Sequence, residues 1–300
     1  MKISKILEKN KPSISFEVFP PKRHDLQNEM SDGSFKEMNH VKGVINKLSK
    51  LNPSYISVTY GAAGGNTGAN TAEIAGYVEN DCGITALAHL TCLISGADII
   101  SSEIEILREK GIENILCLRG DYPPDFDPSS FHGGFSHAID LVKALSGKGF
   151  TLGGACYPEC HPECEHIETD IAYLKEKTDA GVEFLTTQMF FDNNVFFHYL
   201  ARLRNAGIVV PVVAGIMPVT NGRQIARICR LSGTVLPPRF RAIVDRFGDN
   251  PVAMMDAGVA YATEQIIDLF ANGVNNVHLY TMNKPEIAER IMVNLNGIVA

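Results

Sequence analysis

The sequence predicts an α/β protein of the (β/α)8 TIM-barrel class: a single domain over residues 1–300, with an extra helix inserted before the last strand. Three observations carry this. Eight short β-rich runs recur along the chain, each followed by a stretch with helical spacing of apolar residues. No run leads into the G-x-G-x-x-G turn of a doubly wound dinucleotide-binding sheet; the nearest candidate, GAAGGNTG at 61–68, has the wrong spacing. No domain boundary or low-complexity tract interrupts the alternation, and no G-x-x-x-x-G-K-[ST] phosphate loop is present.

In chain order, SISFEVF (13–19) sets Ile14, Phe16 and Val18 alternately with Ser13, Ser15 and Glu17. The apolar set is expected to pack outward on helices, which leaves Glu17 facing the barrel mouth. YISVTY (55–60) finishes on Thr59 and Tyr60, and ITALAHLTC (84–92) presents His89 and Thr91. A helical stretch at Ser101–Lys110 then stops at Gly111. NILCLRG (114–120) runs into Arg119-Gly120-Asp121, and TLGGACYP (151–158) ends near Tyr157. The helical stretch Asp170–Ala180 stops at Gly181. FLTTQMF (184–190) carries Gln188, VVPVVAGI (209–216) is the seventh run, and a long insert near Leu236–Gly273 holds the extra helix. NVHLYT (276–281) brings Tyr280, and Glu286–Leu295 closes the series. Seven of the eight runs thus end on a polar group at one rim, where barrels of this type gather their chemistry. Burying a carboxylate, an imidazole and a guanidinium in such strands is costly unless they serve a site.

Composition narrows the function classes. Apolar residues make up 45% and charged residues 20%, as in an ordinary globular protein. A net charge of −7 with both signs mixed argues against nucleic acid or an anionic membrane as main partner, and leaves anionic small molecules open. MKISKILEKN has no apolar core segment, so no signal peptide is expected, and no apolar run approaches the roughly 20 residues of a membrane span. Seven cysteines, an odd and mostly scattered set, suit reduced thiols in a cytoplasmic protein. The chain runs only a little past its last helical stretch, so no C-terminal regulatory domain is expected.

One stretch invites a metal reading. ACYPECHPECEH (155–166) holds Cys156, Cys160, Cys164, His161 and His166. Zinc sites built on cysteine favour C-x₂₋₄-C pairs followed by a second pair at a distance, and the C-x₃-C-x₃-C spacing here supplies no second pair. A radical-type cluster motif, C-x₃-C-x₂-C, is missed by one place. Pro158 and Pro162 stiffen the loop against a tight thiolate cage. A metal- or iron–sulfur-dependent barrel enzyme stays the second reading, against small apolar cysteines that merely pack.

FEVFPPK (16–22), SVTYGA (57–62), HLTC (89–92), LRGD (118–121), YPE-x-HPE (157–163), DAG (179–181), TQ-x-FFD (187–192), GI-x-PV-x-N (215–221) and YT-x-N (280–283) occur in this order. Together they resemble the methylenetetrahydrofolate reductase family over nearly the whole chain. The resemblance implies a (β/α)8 barrel with FAD at its C-terminal rim. It implies NADH or NADPH as donor and a ping-pong reduction of 5,10-methylenetetrahydrofolate to 5-methyltetrahydrofolate, which feeds methionine synthesis. A homo-oligomer is also expected, and a non-catalytic flavin- or pterin-binding subunit is a further alternative.

The resemblance also implies roles. Opening the folate's imidazolidine ring to an iminium needs a general acid, and a carboxyl whose pKa is raised by burial serves. Glu17, expected to be walled by Phe16 and Phe19, matches the family's catalytic Glu. Asp121 would lie between flavin and folate and serve both, and Gln188, Gln224 and Lys284 would meet the folate. Thr59, Tyr60, Ala62, His89, Arg119, Gly120, Ala155, Tyr157, His161, Asp170 and Lys177 match flavin-side positions, with Arg119 and Lys177 supplying charge for the pyrophosphate. No metal is expected, and Cys160 and Cys164 become incidental thiols. Departures from the family pattern are Ile228, where some bacterial relatives carry an aromatic, Met189, and Lys284 in place of Arg.

Overall fold

The computed structural model describes residues 1–9, 11–21, 32–60, 68–122 and 135–299. Eight parallel strands close into one barrel: β1 (Ser13–Val18), β2 (Ile56–Val58), β3 (Ala86–Thr91), β4 (Asn114–Leu118), β5 (Thr151–Cys156), β6 (Phe184–Thr187), β7 (Val212–Ile216) and β8 (Asn276–Tyr280). Each pairs with the next, and β8 returns to β1 with Ser15 opposite His278 and Glu17 opposite Tyr280. All eight expected strands are present. The seventh starts at Val212 rather than at 209, because Val209 is exposed and Pro211 has no N–H to give a ladder.

The alternation along β1 sorts its side chains as expected. Ile14, Phe16 and Val18 join the main core between barrel and helices, and Glu17 points inward. This corrects one expectation: Phe16 does not wall Glu17, since adjacent strand residues face opposite sides of the sheet. The burial around Glu17 comes from inside the barrel.

The outer ring consists of α2 (Asp32–Ser49), α3 (Gly68–Gly76) with a π-helical turn at Tyr77–Asp81, α4 (Ala97–Glu109), α5 (Ala138–Leu145), α6 (Ile167–Asp179), α7 (Asn193–Asn205), α10 (Pro251–Ala271) and α11 (Pro285–Val299). The short α1 (Ile3–Leu7) closes the N-terminal end. Its Ile3 and Leu7 pack with Tyr55, Leu87, Leu116, Phe184 and Val213, and Ile3 N–H donates to Asn114 Oδ1 at 2.8 Å. Each fully buried side chain of this plug contributes about 1.5–3 kcal/mol through burial.

The insert differs in detail from the expectation. Residues 236–273 hold two helices, α9 (Pro238–Phe247) and α10, and a further helix, α8 (Gly222–Ser232), precedes them. Proline at the first helical turn and the Asn250 cap on Val252 and Ala253 N–H start these helices sharply. α10 packs on α7 and α11 and so occupies the outer-ring place, which makes α8 and α9 the added pair. No described helix is long and apolar enough to cross a membrane.

Candidate active site

A cavity of about 450 Å³ opens at the C-terminal end of the barrel, a size suited to a fused-ring ligand. Leu87, Leu116, Thr186 and His278 form its floor, Glu17, His89 and Tyr280 its middle, and Asp121, Tyr157 and Gln188 its rim. One wall is aliphatic: Met189, Met217, Ile228 and Leu231.

Glu17 and His89 are the titratable pair at the centre, 8% and 7% exposed. His89 Nε2 stands 3.9 Å from Glu17 Oε2, too far for a hydrogen bond, and makes no hydrogen bond elsewhere among the described residues. Burial pushes the Glu17 carboxyl up to about 8 from its ordinary 4.5. Burial likewise pushes the His89 imidazole down to about 3. At neutral pH both groups are therefore uncharged, and Glu17 holds a proton.

The floor keeps this arrangement in place. His278 accepts or donates at both ring nitrogens, to Ser15 Oγ at 2.7 Å and Ser57 Oγ at 2.9 Å, and stacks on Tyr55. Its imidazole is also held low, at about 3, by burial and then by His89 nearby. Thr281 Oγ1 donates to the Glu17 carbonyl at 2.6 Å, which fixes the end of β1. Tyr280 OH crosses β7 to donate to Thr187 O at 2.6 Å. Gly215 makes that crossing possible, since a Cβ there would stand 2.6 Å from the Tyr280 hydroxyl.

At the rim, β4 ends in the turn Arg119-Gly120-Asp121. Gly120 has φ 84° and lies against Thr91, so a side chain is excluded by both backbone and space. Arg119 forks onto Glu163 at 2.5 and 2.6 Å, which holds the Glu163 carboxyl below its ordinary range. Tyr157 and His161 meet edge to face at 4.6 Å. His161 N–H donates to Asp170 Oδ2 at 3.1 Å, and Lys177 Nζ donates to Ala155 O at 2.7 Å. Burial lowers the Lys177 ammonium.

Of the sequence-predicted residues, Glu17, His89, Asp121, Ala155, Tyr157 and Gln188 line the cavity together. Arg119, Gly120, His161, Asp170 and Lys177 form the rim network beside it. Tyr60 is turned away to Glu103 on α4, at 2.5 Å, and Thr59 is fixed through its carbonyl by Thr71. Gln224 is exposed on α8, one turn before Ile228. Lys284 donates to Thr220 Oγ1 at 3.2 Å, outside the cavity lining. Ala62 lies outside the described residues.

The cysteine-rich loop folds on itself. Cys160 Sγ donates to Cys164 O and Cys164 Sγ to His166 O, each at 3.3 Å, while Cys156 is buried in the main core. Among the described residues no three His, Cys, Asp or Glu side chains converge as metal ligands.

Sequence reasoning missed His278 and part of α8. His278 could have been found, since it alternates with Tyr280 on β8 and so faces the same interior. Of α8, the resemblance named Gln224 and Ile228, while Leu231 and Ser232 had no signal of their own. This helix lies across the mouth, with Ile228, Leu231 and Ser232 on the cavity. Its C-terminal end is fastened to the neighbouring rim after β5 and β6: Gly233 sits against Pro162, Thr234 Oγ1 donates to Met189 O, and Val235 N–H donates to Glu159 Oε2. Two of the departures from the family pattern, Met189 and Ile228, thus meet on one wall.

Comparison with known proteins gives three results. A sequence model described as methylenetetrahydrofolate reductase matches residues 2–296. Among curated relatives, methylenetetrahydrofolate reductase (NADH) 1 of Arabidopsis thaliana is 34% identical over 99% of this chain and 50% of its own length. The 5,10-methylenetetrahydrofolate reductase of Escherichia coli strain K12 is 30% identical over 93% of this chain and 89% of its own. The chain spans about half the length of the plant relatives it matches and most of the bacterial one. Among solved structures, a Clostridium thermocellum protein described as binding two copies of 5-methyl-5,6,7,8-tetrahydrofolic acid superposes with a TM-score of 0.67. It covers 100% of this chain and 99% of its own at 14% identity, a likeness of fold.

Proposed function

Because the chain belongs to the methylenetetrahydrofolate reductase family, we propose that its cavity reduces 5,10-methylenetetrahydrofolate to 5-methyltetrahydrofolate, with Glu17 as the proton donor. The observation that carries this is the Glu17 carboxyl, buried at the centre of the barrel mouth, where burial pushes its pKa up to about 8 and so favours the protonated form. A carboxylic acid there can protonate a ring nitrogen of the bound folate and open it to an iminium carbon that accepts hydride. A permanently ionised carboxylate could not.

The residues fit a flavin. The cavity is large enough for a fused ring, His89 Nε2 is a buried nitrogen without a hydrogen bond among the described residues, and Gly120 and Ala155 present little side chain at the ends of β4 and β5. His89, Ala155, Tyr157 and Asp121 would hold the ring end of FAD, and Arg119, His161, Asp170 and Lys177 the remainder. Bound FAD would supply the hydride chemistry that links NADH or NADPH to the folate in two half-reactions.

The chain's own groups do the rest. Asp121, at the rim, accepts from the amino and ring N–H donors of a pterin, and Gln188 offers both donor and acceptor. The Gln188 Oε1 already accepts from Met189 N–H at 2.9 Å, which fixes the amide of a cavity-lining side chain and leaves its NH2 as the group to donate. The aliphatic wall excludes water from the reacting face. A homo-oligomer in the cytoplasm is part of the same proposal, supported by cysteines that are all free thiols among the described residues.

The test is anaerobic stopped-flow absorbance of the flavin in Glu17→Gln. NAD(P)H still bleaches the flavin, while reoxidation by methylenetetrahydrofolate slows by about 10²–10⁴-fold, the range for loss of a general acid. Ordinary folate turnover in that variant removes Glu17 from the mechanism.

A further inference from the structure

Residues 222–247 carry six arginines and a single acid, Asp245, in a chain whose net charge is −7. Arg223, Arg227 and Arg230 recur on α8 at i, i+4 and i+7, so they share one face. Arg227 and Arg230 each directly precede a residue that lines the cavity, Ile228 and Leu231. The cationic face is therefore the next one round the helix from the cavity wall. All three arginines are exposed. Arg223 meets Asp249 at 3.5 Å, with side chains 79% and 95% exposed, a solvated pair. Arg227 and Arg230 have no ion-pair or hydrogen-bond partner among the described residues.

Such a row works against the helix that bears it, because like charges at i, i+3 and i, i+4 repel. The row is lengthened at its N-terminal end by Lys284, held on Thr220 just ahead of the Asn221 cap, and by the positive end of the helix. A repeated anion running along α8 would turn this repulsion into attraction.

We propose that the Arg223–Arg227–Arg230 stripe is a subsite for the oligo-γ-glutamyl tail of the folate, outside the cavity that takes the pterin. The proposal rests on the reading of the cavity as a methylenetetrahydrofolate site. The spacing agrees: the arginines are about 6 and 4.5 Å apart along the helix axis. A γ-linked glutamyl chain carries one carboxylate per five backbone bonds, about 6 Å when extended. A nicotinamide dinucleotide gathers its charge at one or two points and would engage only part of the row.

The test compares methylenetetrahydrofolate mono- and pentaglutamate as substrates. The pentaglutamate is expected to have a KM about tenfold lower at low ionic strength, as for two or three exposed charge-assisted contacts. The ratio should fall in about 1 M salt, where the Debye length is about 3 Å. Arg227→Gln with Arg230→Gln brings the ratio towards one, the double lysine variant keeps most of it, and Arg202→Gln on α7 leaves it unchanged. An undiminished ratio in the double glutamine variant overturns the subsite, as does a variant that raises the KM for NADPH instead. If neither folate is turned over, the proposed function fails. Calorimetric titration with penta-γ-glutamate then decides the subsite alone: binding lost in the double glutamine variant supports it, and equal or absent binding overturns it.

Discussion

Replacing Glu17 by glutamine keeps the shape of the side chain and removes its proton equilibrium, and the stability of the fold should report the difference without any ligand. The carboxyl is 8% exposed and its pKa stands at about 8 against an ordinary 4.5. Between those values the folded chain holds a proton that the unfolded chain has released. The contribution of Glu17 to stability is thus full below about 4.5 and is lost as pH rises to about 8. At about 1.4 kcal/mol per pH unit, the whole window amounts to about 5 kcal/mol. Glutamine has no such dependence, so Glu17→Gln should gain on the unaltered protein by about 1.4 kcal/mol for each pH unit between 5 and 8. Urea unfolding of both proteins across that range measures it. His89 and His278, held low at about 3, drift the other way, with stability lost as pH falls below the ordinary 6.5, and they largely cancel in the difference. A difference that stays flat from pH 5 to 8 would refute the reasoning: Glu17 would then be ionised at neutral pH and could not serve as the acid.

Two further substitutions probe the frame around that carboxyl. Tyr280→Phe deletes the hydroxyl that crosses β7 and leaves Thr187 O without that donor; it should destabilise by about 1–3 kcal/mol in urea melts. Gly215→Ala puts a methyl group into the path of the same hydroxyl, and should destabilise by about 1–3 kcal/mol as an overpacked core does. Because both changes disturb the same contact, combining them should cost less than the sum of the two, read from a double-mutant cycle.

The barrel was legible in the sequence because each of its elements announces itself locally. Period-two alternation in SISFEVF alone orients Glu17, and glycines after Glu109-Lys110 and Asp179-Ala180 mark helix ends, with Gly111 at φ 75° and Gly181 at φ 130°. By that same alternation Phe16, next to Glu17 in sequence, faces the helices and not the cavity. The rim network was legible only as single residues. Nothing in the spacing of Arg119 and Glu163, forty-four positions apart, foretells their fork. The position of α8 was the least legible of all. Its sequence is polar with one buried residue, Ile225, and reads as an ordinary surface helix. Its place over the mouth depends on close packing of Gly222 against Gly248 at one end and of Gly233 against Pro162 at the other, both long-range contacts.

Fastened in this way, α8 ties together two stretches of the mouth that belong to different strands, β5 and β7. A shift of the Pro162 loop should carry Leu231 and Ile228 with it, and reshaping the helix should disturb the backbone that carries Tyr157 and His161. Anyone transplanting a new specificity into this scaffold should exchange 157–166 and 221–235 as one cassette, because either half alone would arrive without its mooring.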